Sequence, residues 1–197
     1  MDDLIGARRV FLLSPADATG KRARKLIAAT SDTESDLVRR LRGGGAELGE
    51  VFTSISTLYF RGKLAYASAF SGPSTHLPSA LIITSSGGLL QPKTLVTLAD
   101  VTNFFQTRIR GDDPAFRDPL ERDLRRLSED LGSEGRAIFL GSLATRKYLP
   151  LLLDVLGRRL YVPRLFLGAG NMKRGFLLLK SVREGRELDY ISAGNAL

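Results

Sequence analysis

Short apolar runs of four or five residues alternate along the chain with longer stretches of helical period, the pattern of an α/β domain built on a mainly parallel sheet. Arg9 to Leu13 (RVFLL) reads as a first strand, followed by the loop SPADATG and the basic helix KRARKLIAA. A second helix runs from about Thr33 through SDLVRRLR and stops at Gly43, Gly44 and Gly45, which terminate it. Leu58 to Phe70 is a third helix. Its spacing turns Leu64, Ala67 and Phe60 inward and sets Tyr59, Lys63 and Tyr66 at i, i+4 and i+7 along the other face.

Ala80 to Thr84 is a continuous run rich in β-branched residues, the mark of a buried parallel strand. After the loop LLQPKTLVT a helix covers about Leu98 to Thr107. Asp113-Pro114 and Asp118-Pro119 each read as an N-cap followed by proline, with Glu121 completing a capping box on Asp118. Leu120, Leu124, Leu127 and Leu131 then recur at helical spacing, with Arg122, Arg125, Arg126 and Glu129 on a solvated side. Arg136 to Leu140 (RAIFL) predicts another strand and RKYLPLLLDVL another helix. Arg159 to Val162 predicts a further strand, and GFLLLKSVREG a helix with Phe176, Leu179 and Val182 facing the core. Glu187 to Ile191 closes the sheet. The expected architecture is one three-layer α/β/α sandwich over residues 1–197, a length that fits one domain.

Composition changes this picture in one respect. Hydrophobic residues make up 43% and charged residues 25%, as in an ordinary globular protein, but the net charge is +8. There are 22 Arg against 7 Lys. Such a balance favours a polyanionic partner, and arginine suits bidentate phosphate contacts and stacking on bases. With no cysteine, disulfides, thiolate catalysis and Cys-ligated metals are excluded; a single histidine, His76, excludes a multi-His metal site. No metal or other cofactor is expected. The acidic start MDDLIGARRVFLL lacks the apolar region of a signal peptide, and no run approaches the roughly 18 apolar residues of a membrane span. The reading is therefore a cytoplasmic protein that engages no membrane.

In a parallel sheet the loops leaving the strands gather along one edge, where α/β ligands bind. Those loops are Ser14 to Gly20, Ser85 to Gly88, Gly141 to Thr145 and Gly168 to Asn171, all small or polar. Three run into basic pairs: Lys21 and Arg22, Arg146 and Lys147, Lys173 and Arg174. Backbone N–H groups at a helix start beside cations make a phosphate site. Ser85, Ser86, Gly87 and Gly88, together with Gly141, Ser142 and Thr145, are the small residues that let a phosphate approach. The same pattern also arises in any basic α/β protein with short loops. If the Tyr59 helix borders this edge, Tyr59 and Tyr66 offer faces for base stacking while Arg61 and Lys63 meet phosphate. The rival role for both tyrosines is packing beneath a loop or in an interface.

Named motifs fail. SPADATGKR ends like a phosphate-binding loop but lacks its first glycine and has Arg22 where Ser or Thr belongs; in GAGNMKRG the third glycine of a dinucleotide fingerprint comes too late, at Gly175. His76, in the loop GPSTHLP, could activate Ser85 or Ser86 only with a geometry that sequence does not supply. Asp17 is the carboxylate best placed as a general acid or base, against the alternative of a loop-turn aspartate. Asp100 stands on the same terms.

The segments LYFRGKLAYASAF, LIITSSGGLLQPKT and AIFLGSLATRKYLPLLL resemble an uncharacterised bacterial family of α/β domains. In that family a helix of F-R-K-A-x-x-Y-A character precedes a strand ending in S-x-x-x-G-L-L-x-P, and a later strand leads into a G-x-x-Y-x-x-x-L helix. The resemblance spans roughly Leu58 to Leu153 and marks Arg61, Lys63, Ser85, Gly88, Leu89, Leu90, Pro92, Gly141, Lys147 and Tyr148 as a family-like core. It implies a uracil-DNA-glycosylase-like fold and a setting near deazaguanine tRNA and DNA modification enzymes. The glycosylases' water-activating aspartate motif and histidine-containing leaving-group loop have no counterpart here.

The expected function is thus a nucleic-acid- or nucleotide-binding protein, with action at a nucleobase or N-glycosidic bond as its enzymatic version. A small-nucleotide sensor without turnover is the alternative. A structural or assembly protein whose basic faces meet acidic partners is the third, and a homo-oligomer fits that version.

Overall fold

The computed structural model describes residues 8–30, 35–56, 58–72, 77–143 and 147–196. Its main sheet has the strands β1 (Arg9–Leu13), β3 (Ala80–Ile83), β4 (Leu89–Leu90), β6 (Arg136–Leu140), β7 (Leu160–Pro163) and β8 (Tyr190–Ser192) in the order β4-β3-β1-β6-β7-β8. The central strands β3, β1, β6 and β7 are parallel, with Phe11 opposite Ala80 and Ile138, while β4 and β8 close the two edges antiparallel. A separate antiparallel pair joins β2 (Ala46–Glu47) to β5 (Leu95–Val96).

The sheet is buried on both faces, which is why its strands read as unbroken apolar runs. Phe11 and Leu13 point to one side with Ile138 and Leu140, and Val10 and Leu12 to the other with Ala137 and Phe139. The first side is covered by α1 (Lys21–Ile27), α2 (Asp36–Gly43), α3 (Leu48–Ile55), α4 (Leu58–Phe70), α5 (Leu98–Gln106) and α8 (Asn171–Glu184), and the second by α6 (Pro114–Leu131) and α7 (Leu149–Leu156). This is the three-layer α/β/α sandwich that the sequence predicts.

Four local expectations fail. Helix α4 buries Phe60 and Ala67 as expected, but it also buries Tyr59, Lys63 and Tyr66, the face expected to be open, and leaves Arg61 exposed. Asp118-Pro119 starts no helix, because α6 begins at Pro114, capped by Asp113, and runs through Pro119 without a break. Keeping Phe116 in the same apolar stripe as Leu120 and Leu124 outweighs the one N–H that Pro119 lacks, and Glu121 pairs instead with Arg117 and Arg125. Helix α8 buries Gly175, Leu178 and Ser181 and leaves Phe176 56% exposed, so the expected Phe176 face is not its core face. Finally, the short strands β4 and β5 lie in LLQPKTLVT, which reads as loop, while β2 and α3 fill residues 46–55, for which the sequence predicts no element.

The exception at α8 has a steric cause. Gly62 of α4 and Gly175 of α8 meet backbone to backbone; a Cβ on Gly62 would stand 3.0 Å from the Gly175 carbonyl oxygen, and one on Gly175 3.0 Å from the Tyr59 N. Two glycines at a crossing let helices approach more closely than side chains allow. The far ends of the same pair are tied by a polar cluster. Tyr66 exchanges a 2.6 Å hydrogen bond with Tyr190 and accepts from the Leu188 N–H, Tyr190 donates to Glu187, and Arg9 donates to Glu187 and to the Phe70 carbonyl.

Candidate functional site

Strand β1 leads across to β3 on one side of it, while β6 leads to β7 on the other. Their outgoing loops therefore diverge, and a crevice opens between the carboxyl ends of β1 and β6, as at the switch point of other open α/β sheets. A cleft of about 910 Å³ lies there. One wall is the loop Ser14 to Gly20, the opposite edge carries Ser142, Lys147 and Tyr148, and Asn171 at the start of α8 closes one end. Phe52, Tyr59, Phe60, Phe104 and Phe105 supply an aromatic lining from α3, α4 and α5.

Lys63 lies at the floor. It is 1% exposed, and its Nζ donates to the Ser14 carbonyl oxygen and, at 2.9 Å, to the Ser14 Oγ. The Tyr59 and Phe60 rings cover it, their centroids 4.4 and 5.0 Å from Nζ. Among the described residues no carboxylate pairs with it. Burial pushes the Lys63 pKa down to about 7, helped by the charge of Arg174. Arg174, 5% exposed on α8, donates to the Phe166 carbonyl and lies over the Phe166 ring. The Tyr59 hydroxyl and the Arg174 Nε are sealed from solvent without a well-formed hydrogen bond. Burial raises the Tyr59 pKa to about 12 despite the nearby guanidinium. The floor thus concentrates positive charge in a place where water cannot screen it.

The upper walls add exposed cations. Lys21 and Arg22 from α1, Arg108 and Arg110 from the segment after α5, and Lys147 all line the cleft. With the buried Lys63 that makes six basic side chains, five of them exposed cations, against one carboxylate, Asp17. Arg22 is anchored on the Ser56 carbonyl and Arg110 pairs with Asp112. Asp17 accepts from both the N–H and the hydroxyl of Thr19, the loop-turn arrangement, and these bonds hold its carboxyl below the usual carboxylate range, with Lys147 adding to the effect. Ionised at neutral pH, Asp17 has no proton to offer as a general acid.

The remaining candidates separate. Ser85 lines the cleft, but its hydroxyl is spent on the Phe104 carbonyl at 2.6 Å. Ser86, Gly87 and Gly88 build the β3–β4 turn instead of a phosphate cradle. Ser86 accepts from Asn103, the Gly87 N–H donates to the Thr84 hydroxyl, and Gly88 has φ +69° with its missing Cβ 2.1 Å from where the Asp123 carboxylate sits. Gly141 leaves space for the Phe139 ring. Arg61 and Lys173 are exposed outside the cleft lining. Tyr66 is 0% exposed, packed edge-on against Phe11, so it has no free face and cannot stack on a base. Thr145, Arg146 and His76 lie outside the described residues.

Asp100 caps α5 through Thr97, a structural task. The sequence reading missed Ser14, Arg108 and Arg110. Only the position of Ser14 directly after a predicted strand pointed to it. Among the described residues no cluster of His, Cys, Asp or Glu could hold a metal ion, and no helix is long and apolar enough to cross a membrane. No protein-family profile, curated protein or solved structure matches this chain.

Proposed function

We propose that this protein binds a nucleotide, free or as a unit of a nucleic acid, in the cleft at the carboxyl ends of β1 and β6. The observation that carries the reading is the charge of the lining, five exposed cations and the buried Lys63 to one carboxylate, around an aromatic interior. Phosphate meets Lys21, Arg22 and Lys147 at the mouth, while a base lies against Phe105, the half-buried ring of the aromatic lining. Tyr59 contributes the edge of a packed ring and not the open stacking platform expected from sequence. A volume of about 910 Å³ accommodates one nucleotide, since small-molecule sites fall at about 300–1,000 Å³. The net charge of +8 favours a strand over a free nucleotide.

Fluorescence anisotropy with short labelled single- and double-stranded DNA and RNA, and with a labelled mononucleotide, tests this at several salt concentrations. Affinity for a strand that falls steeply with salt supports nucleic-acid binding; tight mononucleotide binding with a shallow slope supports the sensor version. Absence of binding to either at low salt overturns the reading.

A further inference from the structure

We propose that Ser14 and Lys63 form a nucleophile–base dyad, and that the cleft hydrolyses an acyl ester whose alcohol part is a nucleotide. The inference rests on the nucleotide reading for the leaving group alone. The chemistry rests on the dyad.

A serine hydroxyl becomes a nucleophile when a base stands within hydrogen-bond reach and a third group holds that base in place. All three parts are present. Ser14 Oγ and Lys63 Nζ are 2.9 Å apart, inside the general-base range. The charged lysine donates across this contact while the Ser14 hydroxyl donates to the Leu140 carbonyl over a long 3.4 Å, and loss of the lysine proton lets the hydroxyl turn to donate to Nζ. The Ser14 carbonyl and the Tyr59 and Phe60 rings fix the lysine. Both residues line the cleft, so an ester carbon can approach Oγ from that side. Arg174 from α8 is the charged group that faces Lys63, and Tyr59 the titratable one; with no carboxylate partner among the described residues, the amine is neutral in a large share of molecules near neutral pH. Serine–lysine pairs are a recognised variant of the serine–histidine arrangement.

The steps balance with water as the only co-reactant. Ser14 Oγ attacks the acyl carbon as its proton passes to Lys63 Nζ, and the carbonyl electron pair moves to oxygen. Collapse of that intermediate expels the alkoxide, which takes the proton from Lys63 and leaves acyl-Ser14. Water then attacks, Lys63 accepts its proton and returns it to Ser14 Oγ, and a carboxylic acid departs. The cations of the cleft favour the oxyanion in both halves.

The test uses the full chain with a fluorophosphonate probe, from which Ser14 Oγ displaces fluoride. Labelling is followed by intact mass and peptide mapping, with adenosine 5′-monophosphate as competitor. An adduct on Ser14 that disappears in Ser14→Ala and forms at least about 100-fold more slowly in Lys63→Met is expected, from the general-base contribution. In the unaltered protein the labelling rate should rise with pH and level off above about 7, a readout that does not require Lys63→Met to fold. A folded protein that gains no Ser14 adduct, or whose labelling rate keeps rising to pH 10, overturns the dyad. An adduct without protection by the nucleotide keeps the dyad and removes the nucleotide as leaving group. Nucleotide binding without an adduct does the reverse.

Discussion

Ser14 and Lys63 are 49 positions apart in the chain, yet the Oγ of one lies 2.9 Å from the Nζ of the other at the floor of the cleft. A β-strand end and the middle of a helix are brought together there, with the lysine's charge taken out of water and given only neutral acceptors. A buried ammonium group of this kind makes the fold itself sensitive to pH.

The sign follows from linkage. The unfolded Lys63 has the ordinary value of 10.5 and the folded one about 7, so between these values the unfolded chain binds more protons. Stability contributed by this site therefore rises with pH from about 7 toward 10.5 and is lost as pH falls back, at up to about 1.4 kcal/mol per pH unit. Urea unfolding of the protein and of Lys63→Met at pH 7 and pH 9.5 should show the gap between them shift in favour of the unaltered protein at the higher pH. A gap that stays constant would mean that Lys63 is fully charged when folded.

Charge reversal separates the cleft from the rest of the surface. Lys147→Glu and Lys21→Glu should each weaken strand binding and reduce the logarithmic salt slope by about 0.7–0.9 for every phosphate that is no longer neutralised. Arg61→Glu and Lys173→Glu, outside the lining, should change both far less. Anisotropy titrations at three salt concentrations check this.

Tyr66 should prove structural. Tyr66→Phe strands the Leu188 N–H and leaves the Tyr190 hydroxyl with Glu187 alone, so a loss of about 1–3 kcal/mol in unfolding free energy is expected, with ligand affinity unchanged. A fall in affinity without a fall in stability would return the phenol to the binding face.

The glycine crossing makes a steric prediction. Gly175→Ala puts a methyl group 3.0 Å from the Tyr59 backbone and should cost about 1–3 kcal/mol in urea melts, because neither helix has a flexible side chain there to give way.

Much of this fold is legible in the chain because β1, β3, β6 and β7 are covered on both faces and leave continuous apolar runs with small residues at their ends. The crevice follows from the strand order, but that order is not written locally. Helix α4 misleads because polarity reads as exposure: Lys63 and two tyrosines look like a solvent face, while all three are buried, Lys63 against Ser14 and two rings and Tyr66 against Tyr190 and the Leu188 N–H. The α8 face misled for the converse reason, since the contact that orients it is made by a glycine with no hydrophobicity to read. Asp118-Pro119 carries a start signal that a longer apolar stripe overrides. Pairing of Ser14 with Lys63 depends on how α4 docks on β1, which no local pattern encodes.

Lys63 directly follows Gly62, and Arg174 directly precedes Gly175. The backbone contact between those glycines therefore also fixes how far apart the main-chain anchors of these two buried basic side chains stand. The basic groups of the floor are thus held by helix docking and by main-chain carbonyls, whereas the rim is a set of exposed surface residues. Changing the rim can alter what is admitted without retuning the amine beneath it.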